Sequence, residues 1–108
     1  MSVEERLVVA VKPFVSACVH GVYTGEADTY CTYNFLETPD NFGDDTPEVF
    51  RCSGQLHLLL PLETNPRTLK RHLWQALLDA DLGAASIEDA SDETGIHLVF
   101  EFEALEEV

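Results

Sequence analysis

Three cysteines and four histidines are the residues of this 108-residue chain best suited to bond-making chemistry. A thiol nucleophile needs an imidazole within hydrogen-bond reach and a third group to orient it. Cys52 and His57 stand five residues apart in one alternating segment, so a strand there sends them to opposite faces. The spacing of Cys31 and His97 neither joins nor separates them. Cys18, Cys31 and Cys52 are therefore expected to be small buried thiols. His20, His57, His72 and His97 are scattered, with no CxxC, no HxxxH and no paired ligands at zinc spacing. "DNFGDD", from Asp40 to Asp45, offers oxygen ligands without the EF-hand order or its terminal glutamate. It reads as a solvated acidic loop, with a weakly held divalent cation as the alternative. Twenty carboxylates guarantee chance pairs, so they carry no glycosidase signal. There is no Gly-rich phosphate loop, and Tyr30, Tyr33 and Phe35, on so acidic a strand, read as core or interface packing. The expectation is a protein without enzymatic activity, cofactor or metal.

Whatever the chain does must then be done by its fold and surface. With 45% hydrophobic and 24% charged residues it has the composition of a globular domain, and 108 residues suit one domain, 1–108. Twenty acidic residues against six basic ones give a formal charge of −14, which repels nucleic acid and anionic lipid. The first residues are acidic where a signal peptide is basic, and Lys12 and Pro13 break the apolar run. The sequence thus predicts synthesis in the cytosol, no membrane partner and free thiols, three cysteines being an odd number.

Ser2 and Glu5 form a capping box, and Leu7, Val8, Val11, Phe14 and Val15 give a buried helical stripe that Pro13 bends or ends. Residues 18–23 and "TYCTYNFL" read as a hairpin joined by "TGEAD". A loop follows at about 37–48, holding two prolines, a glycine and five carboxylates. In "VFRCSGQLHLLLPL", Phe50, Cys52, Leu56, Leu58 and Leu60 alternate with Arg51, Ser53, Gln55 and His57, with Gly54 marking a bulge or a close backbone approach. Asn65 and Pro66 start a second helix with Leu69, Leu73, Ala76, Leu77 and Ala80 inward and Gly83 as its stop. A last hairpin turns at "SDETG" and buries Ile96, Leu98, Phe100 and Phe102, leaving "EALEEV" as a frayed end. The order αβββαββ predicts an α+β fold, a mainly antiparallel β-sheet with two helices packed on one face.

One feature is at odds with local electrostatics. Arg67, Lys70 and Arg71 crowd the first turns of the second helix, where the dipole makes each cation unfavourable by about 0.3–1 kcal/mol. Two compensations are open: the C-terminal glutamates of the same chain, or an acidic surface on another copy. Asp40, Asp44, Asp45 and Glu48 of the loop are the candidates for that surface, making a head-to-tail contact that closes into a ring. Phe42 within the loop is either an apolar anchor in a polar rim or a side chain folded back on its own domain.

The stretch "YTGEADTYCTYNFLETPDNFGDDTPE", the helix after Pro66 and "DASDETGIHLVFEFE" resemble small tail-completion proteins encoded in prophages of Gram-positive bacteria. They are similar to the tail terminators of long-tailed, non-contractile phages, and the likeness runs through most of the chain. The resemblance implies a structural α+β subunit, without reaction or cofactor, that forms a hexameric ring at the head-proximal end of the tail tube. Its implied partners are other copies of itself, the tail tube protein and the head connector or closure protein. The implied location is the virion tail, and a ring this acidic has a bore through which DNA passes without sticking. Head-closure and head–tail connector proteins are alternative relatives of similar size. A small acidic phage-encoded binding or inhibitor module that mimics DNA is a third reading, and it needs phosphate-like spacing of carboxylates on one face.

Overall fold

The computed structural model describes residues 2–43 and 46–107, with the side chains of 41–43, 46–48, 84 and 85 left out. The elements follow the expected order: α1 (Val3–Val11), β1 (Cys18–His20), β2 (Tyr30–Gly43), β3 (Thr46–Leu60), α2 (Arg67–Asp79), β4 (Gly83–Asp89) and β5 (Ile96–Glu107). They make an α+β fold around a mixed five-stranded sheet of order β1-β2-β3-β5-β4. Every pairing is antiparallel except β1 with β2, which is parallel. The first two strands are therefore not the hairpin their composition suggests, and residues 21–29 cross back to start β2 at the same end as β1.

The alternation in β3 sets the layers. Its 15 residues, at about 3.3 Å each, run nearly the whole 54 Å length of the molecule. β3 is hydrogen-bonded to β2 along one edge and to β5 along the other. Cross-strand rows on its inner face read Cys31–Leu58–Leu98, Tyr33–Leu56–Phe100 and Phe35–Gly54–Phe102. Both helices cover this face, adding Val3, Leu7, Val11, Leu73 and Leu77 to one continuous core. The opposite face carries Asn34, Ser53, Gln55, His57 and Glu101, and no described helix packs on it.

Gly54 is the close approach, not a bulge, because the register runs unbroken through Phe35↔Gly54↔Phe102. A Cβ there would run into Asn34 O and sit 2.5 Å from Phe35 Cβ and 2.8 Å from its Cα. The cap of α1 holds as read, Ser2 Oγ accepting from Glu5 N (3.1 Å), whereas the start of α2 is shifted by one residue: Pro66 is the N-cap, and Asn65 before it accepts at Oδ1 from Arg67 N (3.1 Å). The stop of α2 differs. Asp81, at φ 59°, occupies the left-handed position, with Leu82 N bonded to Leu77 O (2.8 Å) and Asp81 N to Leu78 O (3.0 Å). This is the Schellman arrangement, and Gly83 instead begins β4. Phe14 also departs from the expected stripe: α1 ends at Val11, and the turn after it leaves the ring 43% exposed.

The C-terminal end is part of the sheet rather than frayed. β5 runs to Glu107, and Glu106 Oε1 accepts from Val3 N (2.6 Å), supplying a carboxylate at the positive end of α1. Arg6 closes the same corner by donating to Ala80 O (3.3 Å) at the end of α2 and to Leu105 O (3.0 Å). Two substitutions test these readings in chemical denaturation. Gly54→Ala is expected to cost about 1–3 kcal/mol through overpacking. Asp81→Gly is expected to gain about 0.5–1 kcal/mol by relieving a left-handed non-glycine residue.

Candidate functional site

The cations are gathered on the helices. The two helices, with Lys12 just after α1, carry five of the six basic residues and three of the twenty acidic ones. The rest of the chain carries Arg51 and seventeen carboxylates. Arg51 is already spoken for: on the open sheet face it binds Asp40 Oδ2 (2.7 Å) and Glu103 Oε1 (3.0 Å). Those carboxylates hold its guanidinium above its ordinary pKa, Asp40 being the larger cause. Exposed pairs of this kind contribute little to stability.

Arg67, Lys70 and Arg71 all lie on α2, with Arg67 and Arg71 exposed and Lys70 half-buried. Among the described residues none of them makes an ion pair. The C-terminal glutamates do not compensate them, since Glu106 is engaged at α1 and Glu103 at Arg51. Lys70 lies close enough to Asp89 to help hold that carboxyl below its usual range, though Ser91, donating to Asp89, is the main cause. Lys70 and Arg71 also rim a shallow apolar depression of about 350 Å³ with Trp74 and Ile87.

Of the segment expected to be a loop at 37–48, residues 37–43 and 46–48 are paired strand, a two-stranded ribbon. β2 continues to Gly43 and β3 begins at Thr46, with pairs running out to Phe42↔Pro47 and Gly43↔Thr46. The β3–β5 pairs reach Val49, so among the described residues the ribbon beyond it has no third strand. Asp40 stands at its base and is paired with Arg51 of the same chain. The side chains of Phe42 and Glu48, and the whole of Asp44 and Asp45, lie outside the described residues.

The sheet edges are poor places for strand addition. Cys31 N and Tyr33 O point outward to β1, so the odd-numbered residues of β2 face its free edge, and Pro39 there has no amide hydrogen to offer. The other edge, β4, is interrupted by a register shift between Ala84 and Ser86 and carries Glu88 and Asp89. A contact between copies is left to the faces and the ribbon.

Between the helices runs a groove of about 500 Å³ with an apolar floor of Val9, Ala10, Pro13, Phe14, Ala76 and Ala80. Arg6, His72, Gln75 and Asp79 border it, and the Phe14 and His72 rings lie 5.4 Å apart. Sequence periodicity missed this groove because Val9 lies away from the Val3, Leu7 and Val11 core face of α1, and Phe14 stands in the turn after the helix rather than on its buried stripe.

The chemistry-bearing residues stay apart, as their spacing suggests for Cys52 and His57. Cys52 is buried in the core, while His57 lies on the open face. Burial pushes the Cys18 thiol up to about 11 and raises Cys31 and Cys52 as well, so all three are poor nucleophiles. Tyr33, buried and donating to Glu4 Oε2 (2.9 Å), is likewise raised. Among the described residues no group of three or more His, Cys, Asp or Glu converges to hold a metal. No described helix is long and apolar enough to cross a membrane. In comparison with known proteins, no family model and no curated protein matches this chain.

One pair that the sequence did not join is His57 and His97, brought together by the β3–β5 register with Nδ1 and Nε2 2.8 Å apart. Burial, then the neighbouring imidazole, lowers His57 below its ordinary 6.5. The folded state therefore binds fewer protons here than the unfolded chain. His57 contributes stability above about pH 6.5, and that contribution is lost as pH falls through its depressed value. His57→Gln should lower Tm most at pH 7–8, and the gap from wild type should narrow toward pH 5.5. A gap that stays constant would contradict this assignment.

Proposed function

We propose that this chain is a structural subunit of virion assembly, a tail-completion protein of the tail-terminator kind, which acts by docking onto copies of itself and onto neighbouring tail and head proteins. The observation that carries this reading is the placement of charge: Arg67, Lys70 and Arg71 on α2 make no ion pair among the described residues of an acidic chain, whose 37–48 segment is rich in carboxylates by sequence. Complementary patches at two different places on one subunit make a heterologous contact, which generates a ring when the rotation closes. The blunted sheet edges support faces and ribbon, rather than strand addition, as the means of joining. The family resemblance of the sequence supplies the rest of the proposal: a hexameric ring at the head-proximal end of the tail tube, located in the virion tail, between the tail tube protein and the head connector or closure protein.

At −14 per subunit, like charges oppose assembly at low salt, and screening relieves this over a Debye length of about 8–10 Å at physiological ionic strength. Light scattering across a salt series should record growth from monomer to one discrete larger species. The triple charge reversal Arg67→Glu, Lys70→Glu and Arg71→Glu should leave the far-ultraviolet circular dichroism unchanged and keep the protein monomeric at all salts. Assembly of this variant at wild-type concentrations would remove the electrostatic basis of the proposal.

A further inference from the structure

We propose that the outer stripe of α2 docks on the open sheet face of a second copy of this chain, with Leu105 of that copy seated beside Trp74 and its neighbours Glu103 and Glu107 facing Arg67, Lys70 and Arg71; this rests on the self-assembly reading and names its contact. α2 sends Leu73 and Leu77 into the core, while Arg67, Arg71, Trp74 and Leu78 recur at i, i+4, i+7 and i+11 on its outward side. Trp74 and Leu78 are each 38% exposed, where a helix facing only solvent carries polar side chains. Lys70, Arg71, Trp74 and Gln75, with Ile87 of β4, line the shallow hollow of about 350 Å³, and none of these is acidic. Arg67 and Arg71 are exposed, without ion pairs among the described residues, toward the end of α2 that is already positive. Such a surface fits an apolar side chain with carboxylates beside it.

The open sheet face has that chemistry at one corner. Leu36 is 76% and Leu105 56% exposed there, on a face that no described helix covers. The register sets Glu103, Leu105 and Glu107 opposite Ser53, Arg51 and Val49, all on that face. Among the exposed large apolar side chains described, Leu105 alone has a carboxylate two residues to either side on one strand. Arg51, on the strand between Leu36 and Leu105, is bridged by Asp40 Oδ2 and Glu103 Oε1, so with Glu107 the corner stays net anionic. Since α2 covers one face of the sheet and Leu105 stands on the other, a chain cannot make this contact with itself. The contact is heterologous, and the helix of the next copy adds a third layer to a sheet covered on one side. Leu105→Lys, at a position exposed in the monomer, should keep the fold and weaken self-association roughly thirtyfold, the scale of losing an interface anchor.

Trp74 is the only tryptophan, so its emission reads the contact: a blue shift with rising concentration is expected in the wild type and not in Leu105→Lys. The native thiols favour a crosslinking test, because Cys18, Cys31 and Cys52 are all buried and free. Two proteins, Gln75→Cys at the hollow and Ser53→Cys on the open face, one of them isotopically labelled, are mixed under mild oxidation. A disulfide joining the two variants is expected, well above that formed when Val22→Cys, 79% exposed and outside both surfaces, replaces Gln75→Cys. If the mixture assembles by light scattering but the mixed disulfide does not exceed the control, or each variant links chiefly to itself, this contact is overturned while self-assembly stands. If the mixture is monomeric at every concentration and salt, both this contact and the assembly reading fall.

Discussion

The two-faced hydrogen bonding of β3 is the constraint on which the rest of the molecule depends. A strand paired on both edges has no freedom to slip, because a shift of one residue would carry Cys52, Leu56, Leu58 and Leu60 to solvent and bury Arg51, Ser53, Gln55 and His57. That register places Gly54 between two phenylalanines, commits one face to the helices and leaves the other open. It also carries the ribbon outward, since β2 and β3 go on pairing where β5 has ended. The projecting ribbon is thus a continuation of the same ladder that organises the core.

Charge is unevenly placed along the chain. The two helices, with Lys12 just after α1, hold five of the six cations, while the carboxylates are spread over strands, connections and the 37–48 segment. Segregation of this kind does little for the stability of a monomer: the described ion pairs are the two exposed ones at Arg51, and three cations stand at an unfavourable helix end. A cation cluster without ion pairs among the described residues of an acidic chain is a surface that an acidic partner would meet in a preferred orientation. Against that background the buried thiols, each made less acidic by its surroundings, read as packing groups of the core.

Much of this was legible in the sequence where the determinants are local. Ser2 with Glu5, and Asn65 with Pro66, announce helix starts because a cap is a contact over two or three residues. The alternation from Phe50 to Leu60 announces a half-buried strand for the same reason. What escaped depends on distant partners. β1 reads as half of a hairpin, but parallel pairing to β2 is chosen by where Val15 and Cys18 must meet the core. The proline- and acid-rich stretch at 37–48 reads as a loop, yet partner residues in β3 and an outward-facing Pro39 allow its described residues, 37–43 and 46–48, to be strand. Asp81 rather than Gly83 takes the helix stop, and the residue after it, Leu82, is buried, a contact that often accompanies the motif. Of the candidate site, the cation cluster on α2 and Asp40 were legible by composition; the Arg51 bridge, the His57–His97 pair and the interhelical groove depend on register and on how two helices pack.

Hydroxyl-radical footprinting of dilute and concentrated wild-type protein tests the central claim most directly, because it reports which side chains lose water when copies meet. The account predicts that Trp74 and Leu78 on the helical side become protected with concentration, while Val22 and Leu62, exposed elsewhere, stay reactive. Unchanged reactivity of the helical side at all concentrations, or protection confined to the β4 edge, would contradict it.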